Sequence, residues 1–145
     1  MIPAMIYSDN GEKLTKSFES CRLVAYQDGG GIWTIGWGRT KGVKEGDTCT
    51  QDQADQWLTE DLIWAIYTVN RFVHAQLTQG EFDALVDFVY NVGADNFGGS
   101  TLLRKLNQSD FLGAAQEFER WDLSKGVVVA GLLRRRIAEE GEFKQ

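Results

Sequence analysis

Residues 18–40 read FESCRLVAYQDGGGIWTIGWGRT, and the three consecutive glycines at 29–31 constrain the fold more than any other feature. They separate two short runs, LVAYQD and IWTIGW, the second rich in the β-branched and aromatic residues that suit a half-buried strand. Glycine enters the left-handed backbone region without a Cβ penalty, so this triplet favours a primed or a bulged hairpin turn. One antiparallel hairpin is expected here, with GVKEGDTCT at 42–50 as either a third short strand or an irregular loop.

Outside that hairpin the pattern is helical. Asp9 followed by Glu12 has capping-box spacing and opens a helix with Leu14 and Phe18 on one face, ending near Cys21. Thr50 with Gln53 caps a long helix in which Ala54, Trp57, Leu58, Leu62, Ala65, Ile66 and Val69 keep the helical period. Thr78 with Glu81 opens the next, carrying Phe82, Leu85, Val86 and Val89 and stopping near Gly93. Shorter helices are expected at 101–107, 110–121 and 131–143, with GVVVAG between the last two as a loop or a short extended piece. One small sheet followed by runs of helix predicts an α+β fold. At 145 residues the chain forms one domain: a β-containing lobe over about 1–50, a linking helix over about 51–70 and a helical lobe over about 71–145.

Composition excludes several function classes. The formal net charge of −6 argues against nucleic acid as a partner, and the five tryptophans argue against disorder. LLRRRIAEEGEF near the C-terminus reads as a solvated helical face with i,i+4 ion pairs, or alternatively as an anion-binding patch. Asp83 and Asp87, four apart on one helix, fall opposite the apolar stripe and read as a solvated face. With His74 as the single histidine, a Ser-His-Asp or Cys-His site would have to use it, and a structural or surface role suits it better. Cys21 and Cys49 match no metal-site pattern, so no metal or other cofactor is expected. No stretch resembles a membrane span, and the apolar run MIPAMIY is too short for a signal-peptide core. Accumulation in the cytoplasm where the chain is made is therefore expected.

What remains is carboxylate chemistry. Glu19 follows Phe18 at the end of the first helix, Asp28 closes the first strand, and Thr34 lies on the facing strand. Glycosidic-bond cleavage needs one carboxyl that keeps its proton for the leaving oxygen and another that stays ionised. On these residues alone, an acid beside a turn serves equally well as a turn residue.

FES-CRL-AYQD-GG-WTIGWG resembles the bacteriophage lysozymes of the T4 type, the muramidases of glycoside hydrolase family 24. That family's pattern sets an acidic residue at a helix end, an aspartate after a tyrosine strand and a threonine before Ile-Gly. Their spacing of nine and then six residues is that of Glu19, Asp28 and Thr34. FDALVDFVYNVG, STLLRKLN and GLLRRRIAEE extend the likeness along nearly the whole chain.

The resemblance implies a lysozyme-like fold, with a small hairpin lobe joined by a long helix to a mainly helical lobe. It implies an endolysin that hydrolyses the β-1,4 bond between N-acetylmuramic acid and N-acetylglucosamine in peptidoglycan. Glu19 would be the general acid, and Asp28 with the Thr34 hydroxyl would hold the attacking water. Asn91 matches a position with a polar amide that contacts the N-acetyl group. Arg39 stands where relatives commonly carry a histidine and is expected to keep a structural ion pair. One arginine of Arg134, Arg135 and Arg136 is expected to support the acid, with Arg135 as the candidate. The partners implied are glycan strands and a holin for release, with the enzyme a monomer that acts in the periplasm and cell wall after lysis. A lytic transglycosylase on the same bond and a non-catalytic wall-binding domain are the alternatives, and the intact acid–Asp–Thr spacing disfavours both.

Overall fold

The computed structural model describes residues 2–145; Met1, the first residue of the apolar MIPAMIY run, lies outside the described residues. Two compact units emerge, one formed by Thr15–Ile63 and the other by the chain up to Leu14 together with Trp64–Gln145.

In the first unit, β1 (Arg22–Gln27) and β2 (Trp33–Gly36) form an antiparallel hairpin with Tyr26 facing Thr34 and Gln27 facing Trp33. The register shifts between Tyr26 and Arg22, which faces Gly36. Residues 42–50 add no full strand but pair at one point: Ala25 N donates to Asp47 O and Cys49 N to Leu23 O, each at 2.9 Å. A two-stranded hairpin is marginal alone. Here α2 (Gln51–Asp61) covers it, burying Ala54, Leu58 and Leu62 beside Ile35. The approach is close at Gly36, whose φ is +65°. A Cβ there would stand 3.3 Å from the Ala54 methyl, so only glycine fits both the backbone and the space. Thr50 and Gln53 close the expected capping box on α2, with hydrogen bonds of 2.9 and 3.1 Å. The helix expected over about 51–70 is interrupted once, at Leu62, and resumes as α3 (Ile63–Phe72).

The first helix, α1 (Asp9–Phe18), starts one residue earlier than the sequence indicated. Ser8, not Asp9, is the cap: its Oγ accepts from Gly11 N and its carbonyl from Glu12 N. The same hydroxyl donates to the Asp83 carboxylate, an acceptor that the local sequence gives no hint of.

The second unit is built around α4 (Gln79–Val92), opened by the Thr78–Glu81 capping box and capped by Gly93. Eight consecutive residues of α4, Phe82 to Val89, are buried. Around it lie α5 (Ala94–Gly98), α6 (Thr101–Asn107), α7 (Phe111–Glu117) with a 3-10 turn to Trp121, and α8 (Ala130–Phe143). Phe88 meets Phe97, Phe118 and Trp121 edge-on at 5.4 to 6.3 Å, the favoured arrangement for aromatic quadrupoles. GVVVAG contributes to a second, two-stranded hairpin, β3 (Leu123–Ser124) with β4 (Val127–Val128), turned at Lys125 and Gly126 with φ of 52° and 79°. The result is an α+β fold of helices with two small antiparallel hairpins.

A helix buried on all sides along eight residues has no solvated face, and this overturns the reading of Asp83 and Asp87. Asp83 accepts from Ser8 N at 3.2 Å and Gln79 Nε2 at 2.8 Å. Asp87 receives a fork from Arg135, Nε at 2.9 Å and Nη2 at 2.8 Å. The LLRRRIAEEGEF run is corrected for the same reason. Arg134 and Ile137 are exposed, whereas Arg135, Arg136 and Glu139 point into the unit. That run is therefore neither a wholly solvated face nor a surface anion patch of three arginines.

Candidate active site

Asp28, Thr34 and Glu19 all belong to the first unit. At the hairpin turn, Asp28 Oδ1 accepts from Gly30 N at 2.8 Å and Ile32 N at 2.9 Å, an Asx turn that holds the glycine loop. Among the described residues Oδ2 has no protein hydrogen bond, so the exposed carboxylate keeps one oxygen for a ligand. Ile32 is also the anchor of Thr34, whose Oγ1 donates to Ile32 O at 3.0 Å. With its proton committed, the buried Thr34 hydroxyl offers lone pairs only. Tyr26 faces Thr34 across the hairpin, and the strand period of two places Asp28 on the same face. The backbone of one residue, Ile32, thus holds the Asp28 carboxylate through its N–H and the Thr34 hydroxyl through its carbonyl.

Glu19 is reached from the helix side. Its N–H donates to Thr15 O at 3.1 Å, continuing the α1 ladder one residue beyond Phe18. The half-buried carboxylate lies against the turn that follows β2, where a Cβ on Gly38 (φ +105°) would stand 3.6 Å from Glu19 Oε1.

Arg39 closes that same turn, exchanging two backbone hydrogen bonds of 2.9 Å with Ile35. Its guanidinium lies 5.2 Å from the Trp57 ring centroid, with Nη1 3.4 Å from Glu60 Oε2 and 3.8 Å from Asp61 Oδ1. Burial raises the Asp61 carboxyl above its usual range, Arg39 opposes the shift and Glu60 adds to it. Beside it, Trp37 Nε1 donates to Asp55 Oδ1 at 2.8 Å, and this hydrogen bond is the main reason that Asp55 is held below the usual range.

Asn91 and Arg135 belong to the second unit. Asn91, the penultimate residue of α4, is exposed, and its Oδ1 accepts from Arg136 Nη2 at 2.8 Å. Arg135 is buried, forked onto Asp87, with Nε 3.9 Å from Glu139 Oε2. Arg136 is wholly buried against Glu139 at 2.7 Å and 5.0 Å from the Phe88 centroid. Asp87 as the partner of Arg135 escaped the sequence reading, whereas the pairing of Arg135 with Glu139 is one of the i,i+4 ion pairs expected of that run. The signal was present in the apolar residues of α4, too many for one stripe. Burial pushes Glu139 well up, with Asp87 adding to the shift against both arginines, and burial pulls Arg136 down.

His74 follows α3, and its N–H donates to Asn107 Oδ1 at 2.8 Å. Cys21 and Cys49 are free thiols, with burial and the neighbouring Cys21 raising Cys49. Among the described residues no group of three or more His, Cys, Asp or Glu gathers as a metal site.

A family model described as phage lysozyme matches residues 16–139. The chain is 40% identical over 144 residues to an endolysin of Acyrthosiphon pisum secondary endosymbiont phage 1, covering 97% of this chain and 99% of that one. It is 38% identical over 122 residues to a SAR-endolysin of Bacteriophage PS119, covering 83% of this chain and 73% of the relative. Among solved structures, the muramidase domain of SpmX from Asticaccaulis excentricus superposes with a TM-score of 0.90 at 40% identity, covering 97% of this chain and 98% of that domain.

Proposed function

The chain belongs to the phage lysozyme family and is a peptidoglycan-hydrolysing endolysin, and from that premise we propose that it is a muramidase of the T4 type. The bond is the β-1,4 link between N-acetylmuramic acid and N-acetylglucosamine. Glu19 gives its proton to the leaving oxygen. Asp28 Oδ2 and the Thr34 hydroxyl orient the attacking water, the carboxylate taking its proton as the oxocarbenium-like centre collapses. The observation that carries this reading is Ile32, whose N–H holds Asp28 and whose carbonyl holds Thr34 while each keeps an acceptor to spare. A water held between two acceptors points its own lone pair away from both, toward an electrophile.

Asn91 contributes an amide to an N-acetyl group, and Arg39 and Arg135 are supporting groups, each fixed by its own carboxylates. The partners are glycan strands and, for release, a holin. Action is on the wall after lysis. Among the described residues no helix is long and apolar enough to cross a membrane.

The test is digestion of purified peptidoglycan with mass spectrometry of the released muropeptides. Reducing N-acetylmuramic acid ends are expected. Anhydro ends would replace hydrolysis by transglycosylation, and no release would remove both enzyme readings. In Glu19→Gln, turnover is expected to fall by at least about 100-fold with the melting temperature retained. Activity within a few-fold of the parent enzyme would mean that another group is the acid.

A further inference from the structure

Arg136 is a wholly buried guanidinium in a small protein, and stability alone does not account for it. Desolvating a charge pair often cancels its attraction, and apolar residues of similar volume do as well or better. Its geometry is also incompletely satisfied. Nε sits 2.7 Å from Glu139 Oε1 as an ion pair without hydrogen-bond alignment, and among the described residues Nη1 has no hydrogen-bond partner. Only Nη2 is well used. It donates to Glu139 Oε2 at 3.1 Å and to Asn91 Oδ1 at 2.8 Å.

That second bond has a chemical consequence. An asparagine amide can turn either its oxygen or its NH2 toward a neighbour, and in solvent the two are nearly equivalent. A guanidinium has donors only, so the amide facing it must present its oxygen. Asn91 is exposed, and its Nδ2 with both hydrogens is therefore turned away from Arg136. Glu139 holds the guanidinium from one side and the Phe88 ring, 5.0 Å away, from another. The clamp removes the two-fold choice and makes Asn91 a donor of fixed direction.

We infer that Arg136, held by Glu139 and Phe88, is a positioning residue for substrate recognition: it locks the Asn91 oxygen inward so that the NH2 reads an acceptor oxygen, the acetamido carbonyl of an amino sugar. This rests on the muramidase reading. It adds that the acetyl group is recognised by a donor whose polarity is set from the core. N-deacetylated glycan, with an ammonium in that place, meets two donors and is rejected.

Soluble uncrosslinked glycan strands, fully acetylated or chemically deacetylated, provide the test with purified enzyme. Asn91→Asp keeps an oxygen on Arg136 and places a second acceptor where the NH2 was. The preference for acetylated over deacetylated strands is expected to fall about tenfold, with the melting temperature maintained or raised. In Arg136→Met combined with Glu139→Leu, an apolar replacement of the pair, Asn91 is free to flip. KM for acetylated strands is expected to rise about five-fold with kcat within two-fold. Arg136→Lys, still a donor only, is expected to restore KM. If the apolar pair does not fold, Asn91→Asp and Arg136→Lys decide the matter by themselves. An unchanged acetyl preference in folded Asn91→Asp, or an unchanged KM in the folded apolar pair, overturns the inference. Failure of the parent enzyme to release reducing ends would instead remove the muramidase reading beneath it.

Discussion

Asp28 carries two tasks on two oxygens, and a single substitution separates them. Its Oδ1 accepts from Gly30 N and Ile32 N, while Oδ2 is the group assigned to water. Asn at this position keeps an amide oxygen for both turn bonds, while Oδ2 becomes a donor NH2 and the charge is lost. Asp28→Asn is therefore expected to melt within about 2 °C of the parent enzyme and to lose at least about 100-fold in muropeptide release. Asp28→Ala gives up the turn as well and is expected to lower both. Retained activity in the Asn variant would leave Asp28 a turn residue. At this scale the sequence singles out Glu19, Asp28 and Thr34 by side-chain identity and spacing, and their catalytic roles are the proposal made above. The Ile32 link was not legible, because its donor and acceptor are backbone groups that any residue supplies. Nor was Ser8, whose capping role depends on Asp83, 75 residues away in the chain.

Elements were legible to different depths. The capping boxes at Thr50–Gln53 and Thr78–Glu81 formed as spaced, because a cap is a local bargain between neighbours. The width of a buried stripe is not local. The period shows which side of α4 is apolar, but the packing of α8 and the shorter helices decides whether any side remains wet, and here none does from Phe82 to Val89. The buried acids follow from that packing, and they make the α4–α8 pair sensitive to pH. Glu139 has its pKa raised in the folded state, by burial first and by Asp87 next, against Arg135 and Arg136. The folded protein therefore holds a proton on Glu139 at pH values where the unfolded chain has released it, so stability falls as pH rises from the ordinary carboxylate range toward the folded pKa. Asp55 works in the opposite direction: its pKa is lowered, so its contribution is present at neutral pH and lost in acid below that range. Glu139→Gln resembles the protonated side chain. Melting curves from pH 5 to pH 8 are expected to show the variant gaining on the parent enzyme as pH rises. A difference that stays constant, or grows in the parent's favour, would mean that Glu139 is ionised throughout in the fold.

For the whole molecule, the α+β class was legible because one hairpin and a run of helical periods leave few other assemblies. The distribution of charge was not, since it depends on which ionic groups the packing withdraws from the surface. The arginine triplet was the one dense cationic run in a chain of net charge −6, and two of its members, Arg135 and Arg136, are buried in pairs with Asp87 and Glu139. Arg134 alone of the three remains exposed. An acidic enzyme on an anionic wall gains no long-range attraction, and added salt screens whatever repulsion exists. For a cationic lysozyme the same salt weakens the encounter. Lysis of purified walls by this protein is therefore expected to stay level or rise by up to about two-fold between roughly 20 and 200 mM salt. The rate is best followed by turbidity at one pH, with Glu19→Gln as the blank. A fall of tenfold over that range would reveal a local cationic surface strong enough to overcome the net charge. Charge reversal at Arg134 would then identify whether α8 supplies it, because its two neighbours are buried within the fold.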